Sequence, residues 1–311
     1  MTSEDTTSFR RYLVTFALIV VGGVALVGGF CYWVDPFGIF GMNSVGIYSS
    51  ADRESKAQFY GRGDYDAVLL GNSKAAMIPA SEIDGHTFFS ATFGGAMPEE
   101  LFYFADRHLE EGELAIVLFD IWSYGTEAPI KEDPFATRGV QEYLDRLFSL
   151  HAFDESVKTL RRHYKGEQPA FAPDGSFIAQ RWIETKDAPN AALYKAELNA
   201  HERWFNEFEL SDERLRMIDR LARALKAQGY HPVAVIAPMH VESLKRLEGT
   251  PAQEAMDLWK QEINRAFPEV IDLMDSKYST PENYFPADPT HFRPETGVSM
   301  INDEVMSVER Y

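Results

Sequence analysis

The sequence predicts an α/β protein, a three-layer αβα sandwich around a parallel five-stranded sheet, with one N-terminal transmembrane helix. Three observations support this prediction. Short apolar runs alternate with helical patterns, which favours a parallel sheet covered on both faces. The runs are continuously apolar, as expected of strands buried on both sides. Residues 12–34 contain no charged side chain.

The apolar segment 12–34 is long enough to cross a bilayer as a helix. Arg10 and Arg11 precede it and Asp35 follows it. Positively charged flanks stay in the cytoplasm, so we expect residues 1–11 to be a cytoplasmic tail and residues 35–311 to be exported. In a bacterium this gives a single-pass inner-membrane protein with a periplasmic domain. A signal peptide has a shorter apolar core of about 7–15 residues, so the pattern favours an uncleaved anchor.

Composition excludes several classes of partner and cofactor. The net charge of −18 argues against nucleic acid and against peripheral binding to anionic lipid. Cys31 is the only cysteine and lies in the predicted anchor, so no disulfide is expected in the exported domain. The sequence has no glycine-rich phosphate loop and no ligand cluster with zinc spacing, so we predict neither cofactor nor metal.

The elements follow in order from local patterns. Pro98 suits a first helical turn, and Gly229 suits the end of a helix. Between them, residues 123–210 contain charged helical pieces, and we expect a mostly helical insertion above the sheet's carboxyl edge. We interpret its aromatic residues as a small core of their own, with stacking on sugar rings as the alternative; they are Trp182, Tyr194 and Trp204. The predicted strands are 66–70, 88–93, 114–119, 232–236 and 270–273, and the predicted helices are 98–108, 211–228, 252–267 and one from Pro294.

A serine follows the first predicted strand, in the segment Gly71-Asn72-Ser73-Lys74. Ligands of parallel sheets bind beyond the carboxyl ends of the strands. We expect Ser73 to begin a helix, where backbone N–H groups and the helix dipole would stabilise an oxyanion. Taken alone, the same serine also suits a simple helix cap.

The segment Asp288-Pro289-Thr290-His291 follows the last predicted strand of the sheet. A serine hydroxyl needs a base to take its proton, and the base works best when a carboxylate holds its other nitrogen. Asp288 and His291 could supply that pair from one loop, although Asp-Pro also begins ordinary turns. Because both segments follow strands, we expect the three side chains to meet at one edge of the sheet.

These segments resemble the SGNH (GDSL-like) hydrolase superfamily over about residues 35–311, and especially its membrane-anchored branch of alginate-acetylation and teichoic-acid D-alanylation type. The resemblance implies a flavodoxin-like sheet with Ser73 as nucleophile, His291 as general base and Asp288 as its orienter. It also implies an oxyanion hole formed by the N–H of Ser73 with that of Gly95 or Gly94. The supporting stretches are 68–74, 89–90, 94–95, 117–120, 237–240 and 288–291.

The chain departs from that family at two positions. Asn72 stands where the family has an aspartate, and Asp120 stands where it has an asparagine that donates to the oxyanion. An ionised carboxylate there would repel an oxyanion. Asn72 and Asp120 are candidates for substrate contact, as are Trp122 and His240, which equally suit packing and a hydrogen-bonded core position. Lys74 is expected to point away from Ser73, so no Ser-Lys dyad is predicted.

The resemblance implies a membrane-anchored serine acyl-ester enzyme, either an O-acyltransferase or a carbohydrate esterase. The expected acyl group is acetyl and the expected partner is an exported or envelope polysaccharide, beside a multi-pass membrane O-acyltransferase. The alternative is a catalytically inactive glycan-binding or assembly subunit of an acylation or export complex. A structural protein with coincidental motifs would require two independent accidents.

Overall fold

The computed structural model describes residues 3–136 and 139–307. Its main feature is a five-stranded parallel sheet, which confirms the predicted α/β class. The strand order is β2-β1-β3-β4-β5. A two-stranded antiparallel ribbon, β6-β7, lies outside this sheet. The strands are β1 (Ala67–Gly71), β2 (Phe88–Thr92), β3 (Leu114–Phe119), β4 (His231–Ile236), β5 (Glu269–Asp272), β6 (Tyr284–Phe285) and β7 (Asp288–Phe292).

Helices fill most of the remaining chain, and those predicted at 98–108, 211–228, 252–267 and from Pro294 are present within one or two residues of their expected bounds. Ser211 caps the helix that follows it by accepting from the N–H of Arg214. The helices are α1 (Ser3–Val34), α2 (Asp52–Tyr60), α3 (Pro98–His108), α4 (Val140–Phe148), α5 (Leu150–Tyr164), α6 (Gln180–Asp187), α7 (Ala191–Glu207), α8 (Asp212–Ala227), α9 (Val241–Leu247), α10 (Pro251–Ala266) and α11 (Pro294–Ile301).

Both faces of the central strands are buried, because successive strand residues point to opposite sides of the sheet. On one face Leu69, Ile116 and Val235 belong to a cluster that includes Met300 of α11. On the other, α8 packs on β4 between α3 and α10, and Phe119 meets Phe267 with ring centroids 5.2 Å apart. The continuous apolar runs in the sequence therefore correspond to strands covered by helices on both sides.

The predicted helix directly after Ser73 is wrong. The chain forms only a three-residue 3-10 turn, Ala75–Met77. Ile78 is then extended, with φ −97° and ψ 109°. It precedes Pro79, and a proline disfavours helical backbone in the residue before it. A single 3-10 turn has no helix macrodipole, so stabilisation of an oxyanion at Ser73 must come from individual N–H groups.

The described chain forms two compact units. The first contains the described residues of 1–51 and 137–169, with α1, α4 and α5 packed together. Its segment Phe9–Val34 is long and apolar enough to cross a membrane, with a mean hydropathy of 2.4. The second contains 52–136 and the described residues from 170 onward, with the sheet, α6 and α7. Residues 1–2 of the expected tail and 137–138 of the expected insertion lie outside the described residues.

Candidate active site

Ser73, His291 and Asp288 form a continuous chain of hydrogen bonds. Ser73 Oγ lies 3.0 Å from Nε2 of His291, and Nδ1 of His291 lies 3.0 Å from Oδ2 of Asp288. Ser73 follows β1, whereas the other two residues lie on β7 rather than on the loop expected from the sequence. Asp288 is the first and His291 the fourth residue of this short strand. The three residues thus meet as the two motifs predicted.

Asp288 is buried and held at several points. Its Oδ1 accepts the backbone N–H groups of Thr290 at 2.9 Å and His291 at 3.2 Å, and its Oδ2 pairs with Nζ of Lys186 at 2.8 Å. Burial alone would raise the pKa of Asp288, but the bonds and charges of His291 and Lys186 hold this pKa well below the usual carboxyl range. A permanently ionised Asp288 fixes the proton of the imidazole on Nδ1 and leaves Nε2 free to accept from Ser73.

Helix α6 contributes two contacts to this pair that the sequence did not reveal. Lys186 bonds Asp288, and Trp182 packs edge-on against the His291 ring with centroids 5.4 Å apart and planes at 89°. The two residues are four apart and share a face of the helix. That spacing is visible in the sequence, but their partners lie more than 100 positions away. The helix therefore positions both members of the acid–base pair.

On the other side of Ser73, Asn72 and Lys74 bond the residue that follows β3. Nδ2 of Asn72 donates to Asp120 at 3.3 Å and to Ser123 at 3.1 Å, and its Oδ1 accepts from the N–H of Lys74. Nζ of Lys74 lies 3.3 Å from Oδ2 of Asp120, and both side chains are almost fully buried. Lys74 points away from Ser73 as expected. Its charge compensates the carboxylate that would otherwise repel an oxyanion.

Asp120 faces little open space. Together with Asn72 and Ser123 it lines a cavity of about 10 Å³, which holds one water molecule at most. Asn72 has all its polar groups bonded within the protein. These two candidates for substrate contact therefore shape the turn that carries Ser73, and the structure gives neither of them a path to a large ligand.

The Gly94-Gly95 loop lies next to the Ser73 turn, because the N–H of Phe93 donates to the carbonyl of Gly71. The N–H of Gly94 is already bonded to Oδ2 of Asp52 at 2.8 Å. Within the part of the chain that the structure describes, the N–H groups of Ser73 and Gly95 donate to no acceptor. Gly95 has a φ of 58°, a conformation that favours glycine. Of the two glycines, Gly95 is thus the one whose N–H is free to donate to a ligand.

Charged side chains hold this loop in place. Arg53 donates to the carbonyl of Gly94 and to Oε1 of Glu100, and Lys131 donates to the carbonyl of Gly95 and to Oε2 of Glu100. The loop carbonyls are therefore fixed by two cations that share one carboxylate. This arrangement leaves the Gly95 N–H in a defined direction before any substrate binds.

A pocket of about 370 Å³ is lined by aromatic and polar side chains, among them Thr290, which precedes His291 in the chain. Trp122 and Trp204 stand with ring centroids 3.9 Å apart. His201 bridges Oγ of Ser243 at 2.8 Å and Oγ1 of Thr290 at 2.9 Å, and burial together with the charge of Lys74 lowers the pKa of His201 to about 4. The lining residues are Trp122, Glu197, Ala200, His201, Arg203, Trp204, Glu207 and Thr290.

His240 lies in the protein interior with both ring nitrogens bonded. Its Nδ1 accepts the N–H of Glu242 at the start of α9, and its Nε2 lies 3.2 Å from the hydroxyl of Tyr194. Burial lowers the pKa of His240. The ring is 1% exposed, so it caps a helix and offers no free atom to a substrate.

Among the residues that the structure describes, one group of side chains has atoms close enough to share a metal ion. Ligand atoms of Asp66, His86 and Glu113 lie within 4.8 Å of one another. These residues precede β1, β2 and β3, at the edge of the sheet opposite to Ser73. Their side chains make ion-pair contacts, with Nδ1 of His86 3.6 Å from Asp66 and 3.7 Å from Glu113. They are therefore remote from the serine.

The arrangement at the carboxyl edge can activate a hydroxyl nucleophile and stabilise an oxyanion. A base bonded to the nucleophile, a carboxylate bonded to the base and free N–H groups beside the nucleophile are the parts that acyl transfer needs. Comparison of the chain with protein-family models and with curated protein sequences gives no match.

Proposed function

We propose that the protein is a membrane-anchored serine acyl-ester enzyme that acts on an envelope or exported polysaccharide. The observation that carries the proposal is the hydrogen-bonded chain from Ser73 through His291 to Asp288. The resemblance to SGNH hydrolases supports it, because the strand order β2-β1-β3-β4-β5 is that of flavodoxin-like doubly wound sheets. In such sheets ligands bind where the strand order reverses, which here is between β1 and β3.

The proposed first step is attack of Ser73 Oγ on the carbonyl carbon of an acyl ester. His291 Nε2 takes the hydroxyl proton, and Asp288 stabilises the resulting imidazolium through Nδ1. The N–H groups of Ser73 and Gly95 would bind the oxyanion. The imidazolium then gives its proton to the leaving alcohol as the acyl-enzyme forms.

The second step transfers the acyl group to an acceptor. A sugar hydroxyl or water gives its proton to His291 and attacks the ester carbonyl, and Ser73 leaves with that proton. Transfer to a sugar makes the protein an O-acyltransferase, and transfer to water makes it an esterase. We propose acetyl as the acyl group on the strength of the family resemblance.

The aromatic pocket supports a carbohydrate acceptor. Thr290, which precedes the base, lines it, and Trp122 precedes Ser123, which bonds the neighbour of the nucleophile. Indole faces pack on the C–H faces of sugars, while carboxylate and guanidinium groups bond hydroxyls. The pocket carries two glutamates and one arginine, so a neutral sugar suits it better than a uronic acid.

The anchor completes the proposal. Arg10 and Arg11 before the apolar segment favour a cytoplasmic N-terminus by the positive-inside rule. The catalytic unit would then work on the periplasmic side of a bacterial inner membrane. A multi-pass membrane O-acyltransferase that delivers the acyl group across the bilayer is the proposed partner.

The alternative is a non-catalytic glycan-binding or assembly subunit. The observation that favours it is Asp120, which occupies the place of an oxyanion donor. The pairing of this carboxylate with Lys74 removes the main electrostatic objection to catalysis.

The test is to incubate the detergent-solubilised full chain with an activated acetyl ester and neutral oligosaccharides, and to measure free acetate and acetylated sugar. An enzyme produces one or both, and Ser73→Ala abolishes them. Trp204→Ala is expected to weaken the sugar-dependent part alone. Sugar binding without any Ser73-dependent product would support the binding subunit.

A further inference from the structure

Helices α4 and α5 of the first unit expose an unusual amount of apolar surface. On α4 the exposed positions are spaced three or four apart and share one face, and the same holds at the start of α5. Leu150, where the helices meet, is 88% exposed, and Val140 is 75% exposed. Scattered exposed apolar residues are ordinary, but a contiguous set indicates a binding surface. The set is Val140, Tyr143, Leu144, Phe148, Leu150, Phe153 and Val157.

The same helices pack on the last turns of α1. A Cβ atom at Gly28 would collide with the ring of Phe148, so glycine is what permits this contact. Phe30 and Phe153 meet with ring centroids 5.6 Å apart. Buried Cys31 joins a cluster with Ala152. The junction of α4 and α5 therefore lies against the end of the apolar segment Phe9–Val34.

The contact fixes the depth of the junction relative to the end of that segment. Gly28 precedes Val34 by six residues, which corresponds to about 9 Å along a helix axis. Amphipathic helices at a membrane surface bury their apolar face to a depth of about 5–10 Å. Phe148 and Leu150 therefore lie at the depth of the headgroup and upper acyl region if α1 spans the bilayer.

We propose that the α4–α5 pair is a second membrane contact that inserts its apolar face into the bilayer interface beside α1. The inference rests on the proposed membrane span of α1 and is independent of catalysis. Lipid is the occupant that the surface fits, because the exposed face continues the apolar surface of α1, where Val24 and Leu26 are also exposed. On α4, Asp145 and Arg146 have opposite charges, so insertion does not require anionic lipid.

Spin labelling of the full chain in phosphatidylcholine nanodiscs tests the inference. In a Cys31→Ala background, single cysteines replace Tyr143 or Leu150 and carry a nitroxide label. Tyr164→Cys, at an exposed position at the far end of α5, is the matched control, and Val21→Cys reports on α1. The measured quantity is the collision rate of each label with oxygen relative to a water-soluble nickel complex.

We expect this ratio to be higher at positions 143 and 150 than at 164, and highest at 21. Equal ratios at 150 and 164, with a high ratio at 21, would overturn the inference and leave the span of α1 intact. Low ratios at every position would mean that α1 does not span the bilayer, and would overturn both that span and the proposed contact of α4 and α5. Dipolar broadening between labels at 150 would indicate a second copy of the chain in place of lipid, and would also overturn it. None of these outcomes depends on Ser73.

Discussion

Two buried carboxylates flank Ser73, and each pairs with a lysine in a different way. Asp288 bonds Lys186 at 2.8 Å and His291 at 3.0 Å, and accepts two backbone N–H groups. Asp120 bonds Lys74 at 3.3 Å and Asn72 at 3.3 Å. The first carboxylate is connected to an imidazole that reaches the serine. The second is connected only to groups that hold the serine's turn.

The comparison shows that charge compensation alone does not define a role. In the proposed mechanism Asp288 takes part in proton transfer because its second partner, His291, is hydrogen-bonded to Ser73. By the family resemblance Asp120 occupies the position of an oxyanion donor, and its ion pair with Lys74 offsets its negative charge without adding a hydrogen-bond donor. In the proposed mechanism the residues that transfer the proton are therefore all present, whereas oxyanion binding relies on backbone N–H groups.

The largest effect is expected for the nucleophile and the base. Ser73→Ala and His291→Ala each remove a member of the reacting pair, so esterase or transferase rates should fall by a factor on the order of 10⁶. Initial rates with an activated acetyl ester measure this loss. Ser299→Ala and His163→Ala, at exposed positions, are the matched controls and should keep wild-type rates. A loss in the controls as large as in the site variants would contradict the assignment.

Asp288→Asn should lower the rate by about 10⁴, because an amide cannot hold the imidazole with its proton on Nδ1. The fold should persist, since the amide oxygen can still accept from backbone N–H groups. Initial rates and circular dichroism check the two parts. A folded variant with a nearly unchanged rate would mean that His291 does not act as the base.

Lys74→Met should affect stability more than chemistry. It leaves Asp120 buried without its cation, which costs about 3–5 kcal/mol. Adding Asp120→Asn should restore most of this loss, because both charges are then gone. Chemical unfolding of the single and double variants measures the difference. If the double variant stays as unstable as Lys74→Met, the unpaired charge of Asp120 is not the cause of the lost stability.

Applying the same double substitution to the other pair sharpens the comparison. Compared with Lys186→Met alone, the double variant Lys186→Met with Asp288→Asn should regain stability but should remain inactive. The double variant Lys74→Met with Asp120→Asn should keep activity within about tenfold of wild type, since at most one polar contact changes. Initial rates of the two double variants provide the check. Equal activities in the two double variants would mean that Asp288 and Asp120 do not differ in their contribution to catalysis.

The smallest effect on activity is expected for Lys186→Met alone. Without the lysine charge beside Asp288, the imidazolium forms more readily, so the acid limb of the pH–activity profile should move to higher pH. A purely structural lysine would lower the rate equally at every pH. The profile measured from pH 5 to 9 distinguishes these outcomes.

Lys186 also affects stability against pH, with a defined sign. Since the folded-state pKa of Asp288 is lowered, its contribution is complete above the ordinary carboxyl value of about 3.9 and is lost as pH falls below it. In Lys186→Met the pKa of Asp288 is lowered less, so the loss of stability between pH 6 and pH 3 should be smaller in the variant than in the wild type. Thermal midpoints at pH 6 and pH 3 check this expectation. A larger loss in the variant would contradict it.

The sheet was predictable because its strands are buried on both faces and therefore read as apolar runs, as β3 (Leu114–Phe119) shows. The position of Ser73 was predictable because it closely follows β1 of a parallel sheet, which gathers the carboxyl ends of its strands. The separate ribbon β6-β7, which carries Asp288 and His291, was not predicted. The contact of Lys186 with Asp288 was not, because it joins residues 102 positions apart. The prediction of a helix after Ser73 was wrong because Pro79 follows closely and leaves room only for a short turn.

The most direct test of the central claim is the intact mass of the full chain after brief exposure to an activated acetyl ester. The account predicts a single acetyl adduct in the wild type and in Ser299→Ala, its absence in Ser73→Ala, and a low level in His291→Ala. A folded wild type that never gains the adduct, or a Ser73→Ala variant that gains it equally, would contradict the catalytic role of the Ser73–His291–Asp288 chain.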